Sequence, residues 1–418
     1  MITFVHTADT HFGVENYGKI DPITGLNTRL LDFKINMDRI VQGAIEACVD
    51  FFILCGDAYK TSTPSPTQQK LMMECLFRLY KAGIPVIIVV GNHDHPISFG
   101  RAHAMDVFSG LPIDGFFVFS KPGILNLKTK NGPVQIVGIP WPTRNNLLAL
   151  DDFRQKDSAQ IVLEISNRMA TIIKNFAAEL DPRIPAILAS HLTVSTGVFS
   201  GSEKTAIIGS DPMLMPSQLA IEPFNYVALG HLHRHQNLGT SDSTPIVYSG
   251  SIEAIDFGEI RDKKGYCLVK IDTKTNSSGG FARTCEMLFI PLPTRKMLEI
   301  KIDVGVGLEQ TERLARAIKE SDVSGAIIKI GYTLPVGAVD CVDMHHIQDL
   351  LKNCIHVVSI RGIKTEQIRQ TRTTTENCQD VNTLLKKYLE NKNLGSRIEE
   401  LLRKAEVLSC CIDNKDQN

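Results

Sequence analysis

Seven residues in this chain have the types and placement to hold metal ions: Asp9, His11, Asp57, Asn92, His191, His231 and His233. Two carboxylates, one amide and four imidazoles form a mixed oxygen and nitrogen donor set. It is too large for one tetrahedral zinc and too rich in imidazole for calcium. It suits two octahedral first-row ions. A carboxylate such as Asp57, lying between the two halves of the set, can bridge ions ~3.5–4 Å apart, the spacing used for in-line displacement at phosphorus. The chemistry this implies is phosphoester hydrolysis, with phosphoryl oxygens polarised and a water made acidic near neutral pH.

Each donor follows a short apolar run. Residues 2–8, 51–55, 84–90, 184–189 and 226–229 are rich in Ile and Val and give way to Asp9 and His11, Gly56-Asp57, Gly91-Asn92-His93-Asp94, Ser190-His191 and Gly230-His231-Leu232-His233. A sixth run, 134–139, ends in Pro140-Trp141 and carries no donor. Runs of this length bounded by Gly or Pro read as buried strands. Five strands therefore aim donors at one sheet edge, and the carboxyl edge of an open α/β sheet is where ligands bind.

These blocks, in this order, resemble the calcineurin-like metallophosphoesterases. Within that superfamily, Thr7-Ala8-Asp9-Thr10-His11-Phe12-Gly13, Gly230-His231-Leu232-His233 with Gln236, and Val247-Tyr248-Ser249-Gly250-Ser251 leading to Asp256-Phe257-Gly258-Glu259 resemble the SbcD family of DNA repair nuclease subunits, over about residues 1 to 290. The resemblance implies a four-layer αββα metallophosphoesterase sandwich with a small α+β cap domain and a C-terminal helical pair. It places Asp9, His11, Asp57 and His233 on one ion, and Asp57, Asn92, His191 and His231 on the other, with manganese as the expected metal. His93 becomes the catalytic residue, protonating the leaving oxygen or stabilising charge at phosphorus, a task to which imidazole is suited at neutral pH. Asp94 is expected to orient His93 or cap a turn. Lys60 stands where several relatives carry His or Asp, and as a cation it can hold a phosphate. His95 and His235, one step outside the motifs, are expected behind the site or exposed.

Composition is that of an ordinary globular protein, at 43% hydrophobic and 22% charged residues over 418 positions, and predicts two or three domains. No apolar stretch approaches membrane-spanning length and the chain opens directly into a strand, so a cytoplasmic protein without membrane contact is expected. Ten cysteines without metal-type spacing read as reduced thiols. A formal net charge of -1 gives no global attraction for nucleic acid, so any DNA contact must come from local patches.

The expected layout is a nuclease domain over 1–290, a cap over 291–364, a linker over 365–379, a helical pair over 380–408 and a disordered tail over 409–418. In the first domain, residues 68–82 and 101–108 read as helices whose Leu71, Met72, Leu76, Phe77 and Leu79, and Ala102, Met105 and Phe108, face either this chain's own sheet or a second copy. Residues 118–128 and 134–141 read as a hairpin turning at Asn131-Gly132. Residues 151–180 read as one long helix, and 197–209 as a loop bringing Ser202, Glu203 and Lys204 toward substrate. The cap reads as a βαββ-like series, with Arg361 and Lys364 as phosphate contacts. Two amphipathic helices that short cannot bury both apolar stripes alone. By resemblance their partner is an SbcC-like ATPase, in a heterotetramer built on a homodimer. The reading is a metal-dependent nuclease acting on duplex ends, single strands and hairpins. The alternatives are a small-molecule phosphodiesterase or phosphoprotein phosphatase, and a non-catalytic scaffold that binds DNA ends.

Overall fold

The computed structural model describes residues 1–95, 102–110, 114–142, 157–201, 211–240, 243–272, 284–364, 385–386, 389 and 397–413. The strands, in chain order, are β1 (Ile2–Thr7), β2 (Phe51–Cys55), β3 (Val86–Val89), β4 (Phe116–Phe119), β5 (Gly123–Thr129), β6 (Gly132–Ile139), β7 (Ala186–His191), β8 (Thr193–Val194), β9 (Met213–Leu214), β10 (Phe224–Gly230), β11 (Gln236–Asn237), β12 (Ile246–Tyr248), β13 (Gly265–Ile271), β14 (Cys285–Pro291), β15 (Met297–Asp303), β16 (Ile327–Leu334) and β17 (His356–Lys364). The longer helices are α1 (Thr28–Glu46), α2 (Pro66–Lys81), α3 (Ser158–Glu179), α4 (Gln310–Glu320), α5 (Met344–Leu350) and α6 (Ile398–Asp413).

Two six-stranded sheets form the centre, in spatial order β14-β13-β1-β2-β3-β4 and β11-β12-β10-β7-β6-β5. β1 to β4 run parallel, as do β6, β7, β10 and β12. Their carboxyl ends therefore share one edge within each sheet. Every residue of β2 and β3 is buried, as strands covered on both faces must be. One face of the first sheet packs with α1 and α2 through Val5, Phe52, Ile88, Phe33, Met37, Met72 and Leu76. The opposite face meets the second sheet through Phe4, Ile53, Ile87, Ile136, Ile187 and Tyr226. The far face of the second sheet is covered by α3 through Ile165, Met169 and Ile173. These three cores between four layers make the αββα sandwich.

A third sheet, β15-β16-β17, is parallel throughout. The strands and helices expected at 297–304, 309–319, 326–334, 345–353 and 355–363 are all present, and in order they make βαβαβ rather than βαββ. Parallel neighbours need a crossover, and α4 and α5 supply one each. The helices cover the face bearing Leu298, Ile300, Ile328, Ile330 and Ile360. By strand alternation the other face carries Glu299, Lys301, Lys329, Ser359, Arg361 and Ile363. This unit joins the sandwich through Ala254, Met297 and Ile327, with Tyr17, Phe257, Ile355 and Val358 against them. Beside that contact Arg295 bonds the buried Asp32, which also holds the fully buried Arg29 at 3.0 Å.

Several expected elements differ. Leu71, Met72, Leu76 and Leu79 are buried in the core under α2, and Met105 and Phe108 join them, so these six face this chain's own sheet, while Phe77 is half-buried and Ala102 exposed. The helix expected over 101–108 is only Asp106–Ser109. The run beginning at Val118 splits: β4 belongs to the first sheet, and the hairpin is β5 with β6, turning at Lys130-Asn131. β14 was not anticipated and pairs antiparallel with β13. Residues 202–204, the linker over 365–379 and most of the first helix of the pair lie outside the described residues. The second helix continues through Asp413 rather than ending at 408, because Leu401, Ala405, Leu408 and Ile412 keep helical spacing past the expected boundary. Among the described residues no helix is long and apolar enough to cross a membrane.

Candidate metal centre

The site is made by sharp reversals immediately after five strands. Asp9, His11, Asp57 and His231 have positive φ, at 51°, 41°, 51° and 103°. This left-handed region costs energy for a residue with a Cβ, and such strain clusters where function demands a particular side-chain aim. Glycines let the loops close on one another. A Cβ on Gly56 would stand 2.1 Å from Nδ1 of His191, one on Gly91 2.2 Å from Oδ1 of Asp57, and one on Gly230 1.8 Å from the Cys55 carbonyl oxygen. The loops are then tied by backbone bonds, Asp9 N–H to Gly56 O at 3.1 Å and His11 N–H to Asp57 O at 3.0 Å.

All seven expected donors converge. Asp9, His11 and His233 place ligand atoms within 4.8 Å of one another; so do Asp9, Asp57 and His191, and His11, Asp57 and His93. Asp57 faces both halves of the cluster. Its Oδ2 is 3.6 Å from Nε2 of His11 and its Oδ1 is 3.5 Å from Nε2 of His191, the disposition a bridging carboxylate needs.

The proton positions show what the cluster lacks. A carbonyl only accepts, so Nδ1–H of His191 donates to Cys55 O at 2.8 Å and its Nε2 carries a lone pair. That nitrogen lies 2.9 Å from Oδ1 of Asn92, which also lies 3.2 Å from Nδ1 of His231. His231 in turn donates from Nε2 to Asp211 at 3.1 Å. Three lone pairs thus meet at one point. Across the site, Nδ1–H of His233 donates to Glu259 at 2.8 Å, so its bare Nε2 faces Nε2 of His11 at 3.0 Å, and Nδ1 of His11 has no hydrogen-bond partner among the described residues. The lone pairs meeting at Asn92 repel unless a cation is shared between them, and His11 and His233 turn both Nε2 lone pairs on a second cation when His11 carries its hydrogen on Nδ1; the residues present fit two.

Burial keeps the imidazoles of His191 and His11 neutral and available. It pushes His191 down to about 4, and it holds His11 well below the ordinary value, helped by the charges of His233, His93 and Lys60. For Asp57 burial acts upward but is outweighed by His191 and His93, so the carboxyl stays below its usual range. Asp94 behaves oppositely: full burial, then the charge of Asp57, raises it to about 7.

His93 lies at the open side, with its side chain 36% exposed. Its backbone N–H donates to Asp57 at 2.9 Å, and Nδ1–H donates to the Lys60 carbonyl at 2.9 Å, which leaves Nε2 free 3.9 Å from Asp57. Asp94 does not orient it. Its carboxylate instead accepts from the N–H groups of Gly91, Ala58 and Tyr59 at 3.0, 3.3 and 3.2 Å, capping the β3 loop against the β2 loop. Lys60 is beside the site, near enough for its charge to act on His11. Arg361 and Lys364 are exposed on β17, outside the donor cluster. His235 stacks on Phe289 and donates to Tyr248 O, and His95 packs edge-on against His103; neither joins the cluster.

Four neighbours went unread as site residues. Glu259 stands behind His233 and Lys264 behind Glu259. Asp211 stands behind His231, and the Trp141 ring lies 4.7 Å from the His231 ring. Only Glu259 and Trp141 had a sequence signal, the first by closing the Asp256-Phe257-Gly258-Glu259 block and the second by following a strand whose end faces the site.

A family model described as calcineurin-like phosphoesterase matches residues 2–235. Among solved structures, a dimetal phosphatase from Danio rerio is 10% identical, with a TM-score of 0.38, and the match covers 64% of this chain and 92% of that one. The protein TT1561 of Thermus thermophilus is 14% identical, with a TM-score of 0.35, over 69% of this chain and 98% of that one.

Proposed function

The chain belongs to the calcineurin-like phosphoesterase family and is a phosphoester hydrolase, and from that premise we propose that it is a metal-dependent DNA nuclease of the SbcD kind. It would trim duplex ends in the 3′-to-5′ direction and cut single strands and hairpins, working with an SbcC-like ATPase. The observation that carries the hydrolytic part is the meeting of lone pairs at Asn92, His191 and His231, with Asp57 lying between His191 and the His11–His233 pair.

Asp9, His11, Asp57 and His233 would hold one ion and Asp57, Asn92, His191 and His231 the other. The ions, manganese by our reading, would polarise the phosphoryl oxygens and make the attacking water acidic. The protein's own part is positional. Asp57 fixes the spacing, the tautomers of His191 and His233 are set from behind, and His93, when protonated on both nitrogens, presents Nε2–H at the open side to give that proton to the leaving oxygen or to stabilise its charge.

Nucleic acid rather than a small ester is supported by the open face of the three-stranded sheet. Lys301, Lys329 and Arg361 lie there, with Glu299 holding the first two at 2.9 and 3.1 Å. The face adjoins Phe257, whose ring Lys329 overlies at 5.7 Å and whose turn carries Glu259. Arg361 and Lys364 are our proposed phosphate contacts, and Lys60 a third near the ions. The C-terminal helices are the proposed seat of the ATPase, and a homodimer would have to form through surfaces other than the buried face of α2.

Purified protein incubated with manganese and an end-labelled duplex should release nucleotides. Hydrolysis confined to p-nitrophenyl phosphate or cyclic nucleotides would replace the reading with a small-molecule phosphatase or phosphodiesterase, and DNA binding without hydrolysis of any ester would leave a scaffold. Deleting residues 376–418 should abolish co-purification with the ATPase and spare hydrolysis.

A further inference from the structure

The motifs account for His233 as a donor but not for what lies behind it. Glu259 and Lys264 are both buried there. Oε1 of Glu259 accepts from Nδ1–H of His233 at 2.8 Å, and Oε2 accepts from the Ile255 N–H at 3.0 Å and from the Lys264 ammonium at 2.8 Å. Lys264 donates its remaining hydrogens to the His233 carbonyl at 3.0 Å and to Ser251 Oγ at 2.9 Å. Every proton of the ammonium is used.

A buried ion pair contributes little net stability once its desolvation is counted, so a different role is worth seeking. The geometry supplies one. A carboxylate accepts and does not donate, so the hydrogen of His233 is fixed on Nδ1 and the lone pair on Nε2, the nitrogen that faces His11 at 3.0 Å. With the hydrogen on Nε2, His233 could offer nothing to an ion held by Asp9 and His11. The turn holding Glu259 is itself anchored. Asp256 accepts from the Gly258 N–H at 2.7 Å, and Phe257 packs edge-on against Tyr17 at 5.6 Å within the contact to the three-stranded sheet.

We infer that Glu259, held by Lys264, is a positioning residue that sets the tautomer and ring orientation of His233 and thereby the affinity of one ion site; this rests on the reading of Asp9, His11 and His233 as a metal site. Lys264 pins the carboxylate from one side and the His233 backbone from the other, so ring and carboxylate move as one unit.

The test uses full-length protein labelled with nitrogen-15 at histidine, read by long-range nitrogen–proton NMR without metal, and manganese titrations followed by electron paramagnetic resonance. His233→Gln identifies the His233 signals. Wild type should show the Nδ1–H form of His233. E259Q keeps one accepting oxygen for three donors; with that oxygen on Lys264 and the Ile255 N–H, its NH2 faces Nδ1 of His233 and should drive His233 to the Nε2–H form as E259A does. E259A should shift His233 toward the Nε2–H form and weaken one of two manganese sites by roughly 10–100-fold while sparing the other. An unchanged tautomer in E259A, or equal weakening of both sites alongside general loss of stability, would overturn the inference. If E259A does not fold because Lys264 is left unpaired, the double variant E259A/K264M removes that charge and is read in the same way. Wild type that binds no manganese would instead sink the metal reading, while the tautomer arm would still decide the role of Glu259.

Discussion

Gly91→Ala is the sharpest probe of how the site is assembled. Gly91 has no positive φ, so the substitution asks only about space. The added methyl carbon would stand 2.2 Å from Oδ1 of Asp57, 2.3 Å from the Asp57 backbone N and 2.9 Å from its Cγ. Ordinary contact is roughly 3.5 Å, so more than about 1 Å of movement is required. Turning the carboxylate relieves the first contact but not the second, because the backbone N is fixed by β2. The loops after β2 and β3 must therefore separate, and Asp57, the residue facing both halves of the cluster, moves with them. Overpacking of this kind costs about 1–3 kcal/mol in stability. A displacement of ~1 Å at a reacting centre costs on the order of 10²-fold in rate. The prediction is a variant that folds, with stability lower by that amount in urea, a kcat/KM on bis(p-nitrophenyl) phosphate reduced about 100-fold, and fewer than two manganese ions bound. Gly110→Ala, whose nearest neighbour would be Asp106 O at 3.5 Å, is the matched control and should behave as wild type. Wild-type turnover with two bound ions in Gly91→Ala would show that Asp57 need not stay where the structure puts it, and the bridging argument would fall.

His93→Ala removes the open-side imidazole but keeps the backbone N–H that bonds Asp57, so hydrolysis should fall by about 10²–10⁴-fold while manganese stoichiometry is unchanged; undiminished turnover would strip His93 of its role. His6, buried between the Tyr226 hydroxyl and the Leu229 carbonyl, is pushed down to about 3 by burial. The unfolded chain therefore binds a proton at His6 that the folded chain refuses, so stability from this group is present above about pH 6.5 and lost as pH falls toward 3, at up to about 1.4 kcal/mol per unit. His6→Gln should flatten the acid side of a stability–pH curve by up to one proton, and an unchanged slope would refute this. Asp32→Ala leaves Arg29 and Arg295 without their shared carboxylate, and breaking a buried pair costs about 3–5 kcal/mol; denaturant unfolding that shows a loss below ~1 kcal/mol would mean that Glu253, whose carboxylate lies 3.6 Å from Arg29, suffices.

The donor set was legible because of where it stands. A strand buried on both faces is a run of Ile, Val and Phe, so the residue that ends it is conspicuous, and five such runs ended in groups that bind metals. The same contrast misled elsewhere. Residues 71–79 looked too apolar for one buried stripe, yet α2 packs against both α1 and the sheet and buries Leu71, Met72, Leu76 and Leu79 there. Val118 looked like the start of a hairpin because the turn at Asn131-Gly132 is a strong cue, but the break after Phe119 sends β4 to one sheet and β5 to the other. Alternation marks a strand without saying which sheet receives it.

What the sequence hid were the residues one layer behind the donors. Asp94 follows Asn92-His93 directly, and adjacency suggested that it serves His93; the tight reversal turns its carboxylate inward to three backbone N–H groups, and the Lys60 carbonyl orients His93 instead. Glu259 is 26 residues from His233 and Asp211 is 20 from His231. Neither separation has a period, because such partners are chosen by where a turn packs rather than by the strand it follows. A donor must sit at a strand end, so its place is fixed by chain order. The group that sets a donor's proton has only to reach one nitrogen, and any loop passing within hydrogen-bonding distance will do. That is why the candidate donors could be read from strand order and family motif, and why the hydrogens behind them needed the fold.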